Sequence, residues 1–182
     1  MSYTLIQTVT LTSSQASISF NSIPATFDDL VLVGSLRCFF SAGSPITQSG
    51  GVFINSLAAD TTTRRLLGNG SSASSGSLSA SEFYIGEIAG NGSTSNTFSS
   101  LQLYIPNYKG SQQKSLSSDM VSENNATQAT QFIAAGLCTK TAAVTSLTLR
   151  IFGAEPNVSL VTGTSVSLYG VTRGSSGGVV VS

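Results

Sequence analysis

The chain contains no histidine and no tryptophan, and only 9% of its 182 residues are Asp, Glu, Lys or Arg. Without histidine it lacks the commonest general base and the commonest imidazole metal ligand. A Ser–His or Cys–His nucleophile pair cannot be built from it. The charged fraction is far below the ~25% usual in soluble domains. Eight basic residues balance eight acidic ones, so the formal net charge is zero. That leaves no basic surface to neutralise a phosphate backbone, and nucleic acid is not an expected partner. The segments Gly68–Ser71 and Gly90–Ser93 are glycine-rich. They lack the lysine and the following helix of a phosphate-binding loop.

Cysteine is scarce as well. Cys38 and Cys138 have no CxxC spacing and no histidine to complete a zinc set. Both sit in strand-like runs, which suits buried free thiols, and a disulfide between them stays open at this level. Long apolar runs are missing. The longest, Leu30 to Phe40, is broken by Gly34, Ser35 and Arg37, short of the ~18 residues of a membrane helix. The opening MSYTLIQTVTLTSS has neither the basic nor the continuous apolar region of a signal peptide. Cytoplasmic synthesis and no membrane partner are expected.

The few carboxylates offer little chemistry. Asp28 and Asp29 are adjacent, so on a strand they point to opposite faces. A glycosidase requires two carboxyls ~5–10 Å apart. Asp119 and Glu123 could meet that distance, but an acidic loop end, or an ion pair with Lys114 or Arg150, is the stronger expectation. With Asn124 they also offer hard oxygens to calcium, but without a DxDxDG loop. No catalytic residue, cofactor or metal ligand is assigned.

What the sequence does have is alternation. Tyr3, Leu5, Gln7, Val9 and Leu11 alternate with polar residues, as do Leu101, Leu103 and Ile105, then Leu147, Leu149 and Ile151, then Val166 and Leu168. Period two marks half-buried strands, and β-branched and aromatic residues suit them. Leu30–Phe40 and Phe132–Cys138 are apolar more continuously and read as central strands, though a helix stays open; Gln128–Ala135 is the best helical candidate. Turn clusters lie at Ser41–Gly51, Gly68–Gly76, Gly90–Thr94, Asn107–Gln113 and Gly153–Asn157. Pro106 should end a strand, since it cannot donate to the ladder. About nine or ten strands with turns every ~8–12 residues predict a single all-β domain, an antiparallel β-sandwich of jelly-roll type. It is expected to span residues 1–173, with 174–182 a Gly/Ser-rich hinge and flexible apolar C-terminal arm. Arg173, Val179, Val180 and Val181 are the candidate protein-interaction residues, through strand addition to a neighbour. Tyr108, with Asn107 beside it, is the candidate exposed aromatic for glycan stacking.

Longer phrases carry a resemblance. SIPATFDDLVL (Ser22–Leu32), RLLGNGSSASSG (Arg65–Gly76), LYIPNYKGSQQKSLSSDMVSENNAT (Leu103–Thr127) and SVSLYGV (Ser165–Val171) together resemble a family of tailed-bacteriophage virion proteins. Phe27 replaces the tyrosine of the family's "SIPxTYxDLVL" phrase. The loop Ser41–Gly51 lacks a family-like asparagine-rich stretch, and the GSSGGVVVS tail runs past the usual end. The resemblance implies a virion structural protein, tail-fibre-like or capsid-associated. With the neutral surface and the absence of catalytic motifs, it leads to the expectation of a non-enzymatic capsid decoration (cement) protein. Its expected partners are the major capsid protein and itself, as a homo-oligomer with a trimer favoured, on the capsid exterior. A tail-fibre or receptor-binding module recognising host glycans is the alternative.

Overall fold

The structure, a computed structural model, describes residues 1–55, 61–124, 128–152 and 157–174. Within them lie fourteen strands and no helix: β1 (Ser2–Thr10), β2 (Ser17–Phe20), β3 (Asp29–Leu36), β4 (Cys38–Phe40), β5 (Thr47–Ile54), β6 (Thr61–Gly68), β7 (Ala73–Ala80), β8 (Phe83–Ala89), β9 (Ser99–Ile105), β10 (Lys114–Glu123), β11 (Ala129–Cys138), β12 (Leu147–Ile151), β13 (Val158–Leu160) and β14 (Ser165–Thr172). An eight-stranded sheet has the order β1-β14-β3-β9-β10-β11-β6-β7. A four-stranded sheet, β2-β12-β5-β8, packs on one side of it, and β13-β4 form a small third sheet. Every strand pair is antiparallel. The predicted all-β antiparallel sandwich is what forms. Its repeated passage between sheets is compatible with a jelly roll.

The predicted alternation appears as burial. In β9 and β12 every second residue is buried. β10, whose Asp119 and Glu123 read as an acidic loop end in the sequence, is a strand that also runs buried–exposed over all ten residues. The buried set, including Leu32, Leu103, Met120, Phe132, Phe83 and Ile85, forms one core between the two large sheets. Gly136 lets the Phe83 ring lie directly on β11, and Gly170 does the same for Phe27 on β14, since a Cβ at either position would overlap the ring.

Three expectations need correction. The strand number is higher than nine or ten, because β4 and β13 are too short to show a period and because the turn cluster Gly68–Gly76 runs into strand β7 (Ala73–Ala80). Gly70 takes φ +86° at that hairpin's tip, and Asn69 Oδ1 accepts the Ser71 and Ser72 amides at 3.1 and 2.8 Å. The helical candidate Gln128–Ala135 lies, from Ala129 on, in β11, where pairing with both β10 and β6 overrides a weak local period. Leu30–Phe40 is two strands, broken at Arg37. That side chain turns away to the carbonyls of Ser93, Thr94 and Thr97 at 2.7–3.2 Å.

Candidate functional site

Most of the polar groups singled out in the sequence are used inside the fold. Pro106 ends β9, and Asn107 follows with φ +48°. This left-handed turn aims the Asn107 amide at Asp29 Oδ1 (2.8 Å). Tyr104 donates its hydroxyl to Asp29 Oδ2 at 2.8 Å, and the Arg173 guanidinium pairs with the same carboxylate, Nε to Oδ2 at 2.9 Å. Asp29 is fully buried. Burial alone would push its carboxyl up, but the hydrogen bonds from Arg173, Asn107 and Tyr104 outweigh it and hold the group below its ordinary 3.8. Asp28 was expected on the opposite face. It precedes the strand instead, so it accepts the Arg173 amide (2.8 Å) and the Lys109 ammonium (3.3 Å). The pair of aspartates is a latch on the end of β14.

Tyr108 is not an exposed aromatic. Its ring is fully buried, and its hydroxyl donates to the Pro24 carbonyl and receives the Phe27 amide. The PNY phrase buries Tyr108 under the turn that SIPATF forms, so no sugar can stack on it. Asn107 is exposed, with its side-chain amide on Gln112. Among the other aromatic candidates Tyr84 is buried, Tyr104 and Phe40 are half-buried, and Phe39 is 45% exposed. Tyr84 donates to Glu87 and stacks edge-on against Phe132; burial, then the Glu87 charge, push its hydroxyl far above its ordinary value.

The expected ion pairs of Asp119 and Glu123 are also replaced. Lys114 is buried and gives its ammonium to four backbone carbonyls, Gly110, Gln112, Thr141 and Ala142, at 2.7–2.8 Å. Arg150 pairs with the buried Glu82 at 2.9 Å. Asp119 and Glu123 lie on the exposed face of β10. Four residues apart on an extended strand, their Cα atoms are ~13 Å apart, so the carboxyl spacing of a glycosidase is not built into the backbone. Asn124 is buried, accepting the Gln128 amide at 3.3 Å. Among the described residues no group of three or more His, Cys, Asp or Glu comes together. Cys38 and Cys138 are both buried free thiols, and burial pushes the Cys38 thiol up to about 12. Arg173 is half-exposed but held by Asp29, while Val179, Val180 and Val181 lie outside the described residues. No described helix is long and apolar enough to cross a membrane.

What remains is a surface. The four-stranded sheet covers one face of the eight-stranded sheet, and among the described residues no element covers the other face. The register lines up Gln102, Asp119, Ile133, Leu66 and Ser75 in one row across it. Ile133 and Leu66, directly opposite each other, are 49% and 62% exposed, and Val121 is 39% exposed beside them. A shallow groove runs along each side of this apolar pair. One is lined by Arg64, Ser77 and Ala135, the other by Gly68, Ala73 and Gln131. At the opposite edge of the sheet Tyr3 and Leu5 are 59% and 53% exposed. A bulge between Leu5 and Gln7 flips β1's facing, so Ile6 and Val9, not Tyr3 and Leu5, pack on the core. A third groove, floored by Val33, Ser35, Ser100 and Ser167, runs between the two apolar ends. The sequence reading missed this face because its small residues alternate with core residues and look like ordinary solvent-side positions. Its signal was the pairing of apolar residues with serine and alanine, visible only once the strand order is known. Comparisons with protein-family models, with curated proteins and with solved structures found no match.

Proposed function

We propose that this protein is a non-enzymatic structural protein of a bacteriophage virion, a capsid decoration protein that binds the outer surface of the major capsid protein shell as a homo-oligomer. The observation that carries the reading is the open face of the eight-stranded sheet: wide, shallow, floored by serine and alanine, with large apolar residues standing on it. Exposed apolar clusters on a flat face of this kind fit another protein better than solvent. The clustered polar groups support the same reading, since Asp29, Glu82 and Lys114 are spent on internal contacts. The resemblance of the SIPATFDDLVL and IPNYKGSQQKS phrases to phage virion proteins supplies the context. A subunit that binds only the assembled shell stabilises that shell by linkage. Residues 175–182 lie outside the described fold; under this reading Val179–Val181 add docking contacts beyond Arg173.

The test is binding of the purified protein to phage heads that lack it, with particle melting followed in parallel. Saturable binding at a fixed ratio to capsid subunits, with a raised melting temperature, is expected. Truncation after Gly174 should weaken that binding while leaving the protein's own melting curve nearly unchanged. Absence of binding to heads, with the protein found on tails or on host cells, would replace decoration with a glycan-recognising fibre module.

A further inference from the structure

We infer that the β10–β11–β6–β7 half of the open sheet face is a self-association surface whose occupant is a second copy of this chain, placed by a two-fold axis lying in the face. The inference rests on the reading of this face as an interface and names one partner for it.

Three features of the face argue for a copy of itself. The first is shape. Ile133 and Leu66 form a ridge between two grooves floored by small residues. A ridge beside a groove can complement itself: turned over, each copy lays its ridge in the other's groove, with sheets stacked at the ~10 Å of a sandwich. The second is charge. The half-face carries Arg64 on β6 and Asp119 on β10. Turning one copy over the other brings arginine toward aspartate, whereas a partner surface of one sign would leave one of the two opposed. The third is extent. Four strands of about eight residues cover roughly 500 Å², below the roughly 800 Å² per partner of a standard stable interface. The pairing is therefore a reversible dimer of the small, transient interface class, suited to association on a shell. A trimer, expected from local threefold positions on an icosahedral shell, is not the symmetry this patch supports, because a face that complements itself closes at two copies.

Sedimentation equilibrium of the full chain across a dilution series tests this without phage heads. Wild type should pass from dimer to monomer on dilution. Ile133→Asp and Leu66→Asp should each raise the dissociation constant at least tenfold. Both side chains are exposed, so their circular dichroism and melting should match wild type. Tyr3→Asp, at the other end of the sheet, should leave dimerisation unchanged and serves as the control. A monomer at every concentration, a trimer, or a dimer indifferent to Ile133→Asp and Leu66→Asp would overturn the inference. If an aspartate variant fails to fold, Ile133→Ser carries the same expectation with less perturbation. Head binding by a strictly monomeric protein would sink this pairing and leave decoration standing, and a dimer that ignores heads would do the reverse.

Discussion

At the scale of single residues, this protein uses its few charges as internal fasteners. Lys114 is the clearest case. An ammonium enclosed by four carbonyls satisfies acceptors from two separate loops, Gly110–Gln112 and Thr141–Ala142. Replacing it with Met keeps much of the volume but leaves those carbonyls without a donor. We expect a loss of about 3 kcal/mol or more in urea unfolding; a loss below ~1 kcal/mol would mean water fills the cage equally well. Tyr108→Phe removes only the hydroxyl bridging Pro24 and Phe27, and should cost about 1–2 kcal/mol with no change in any glycan binding. Asp29 sets an acid limit. Its folded pKa lies below 3.8, so the stability it contributes is complete above that value and is lost as pH falls through the folded pKa. Arg173 stays charged throughout, so the carboxylate alone titrates. Melting temperature should therefore fall steeply below pH 3.8, and Asp29→Asn should be less stable at neutral pH but flatter over that acid range.

At the scale of elements, the strands with clean alternation were legible from the sequence, because a strand with one buried face must write its burial in period two. β9 and β12 show this, whereas β10, which buries Ser118 and Ser122 and exposes Val121, does not. Three kinds of element were not. β7 is exposed on both faces, so its Ser/Gly composition carries no period; pairing with β6 alone makes it a strand. β11 carries Ala134 and Ala135, good helix formers that give Gln128–Ala135 its helical look. Gly136 is there because Phe83 crosses it, a contact between strands of different sheets that no local pattern encodes. Gly136→Ala should cost about 1–3 kcal/mol through overpacking, unlike Gly68→Ala on the open face, where nothing lies within reach of a new Cβ. The candidate site divides the same way. The IPNY and SIPATF phrases were visible as turn chemistry, but that one buries the tyrosine of the other depends on β3 and β9 being neighbours.

At the scale of the whole molecule, the two ends of the described chain close the large sheet: Ser2 lies opposite Thr172, and β1 and β14 pair along their lengths. Bringing them together closes a loop of nearly the entire chain, whereas β10 and β11 join through a short connection with Glu123 opposite Ala129. Loop-closure entropy opposes the first pairing far more than the second before either contributes stability. The β9–β10–β11 meander therefore belongs to the folding nucleus, and β1 docks late. Val9 packs against the core from β1, and Phe132 packs within β11. In stopped-flow experiments Val9→Ala should speed unfolding and leave refolding almost unchanged, and Phe132→Leu should slow refolding, provided each costs more than ~0.6 kcal/mol at equilibrium. The reverse pattern would place the meeting of the chain ends in the nucleus. In that case the sheet would grow from its β1 edge, and the β6–β7 edge would be the last to assemble.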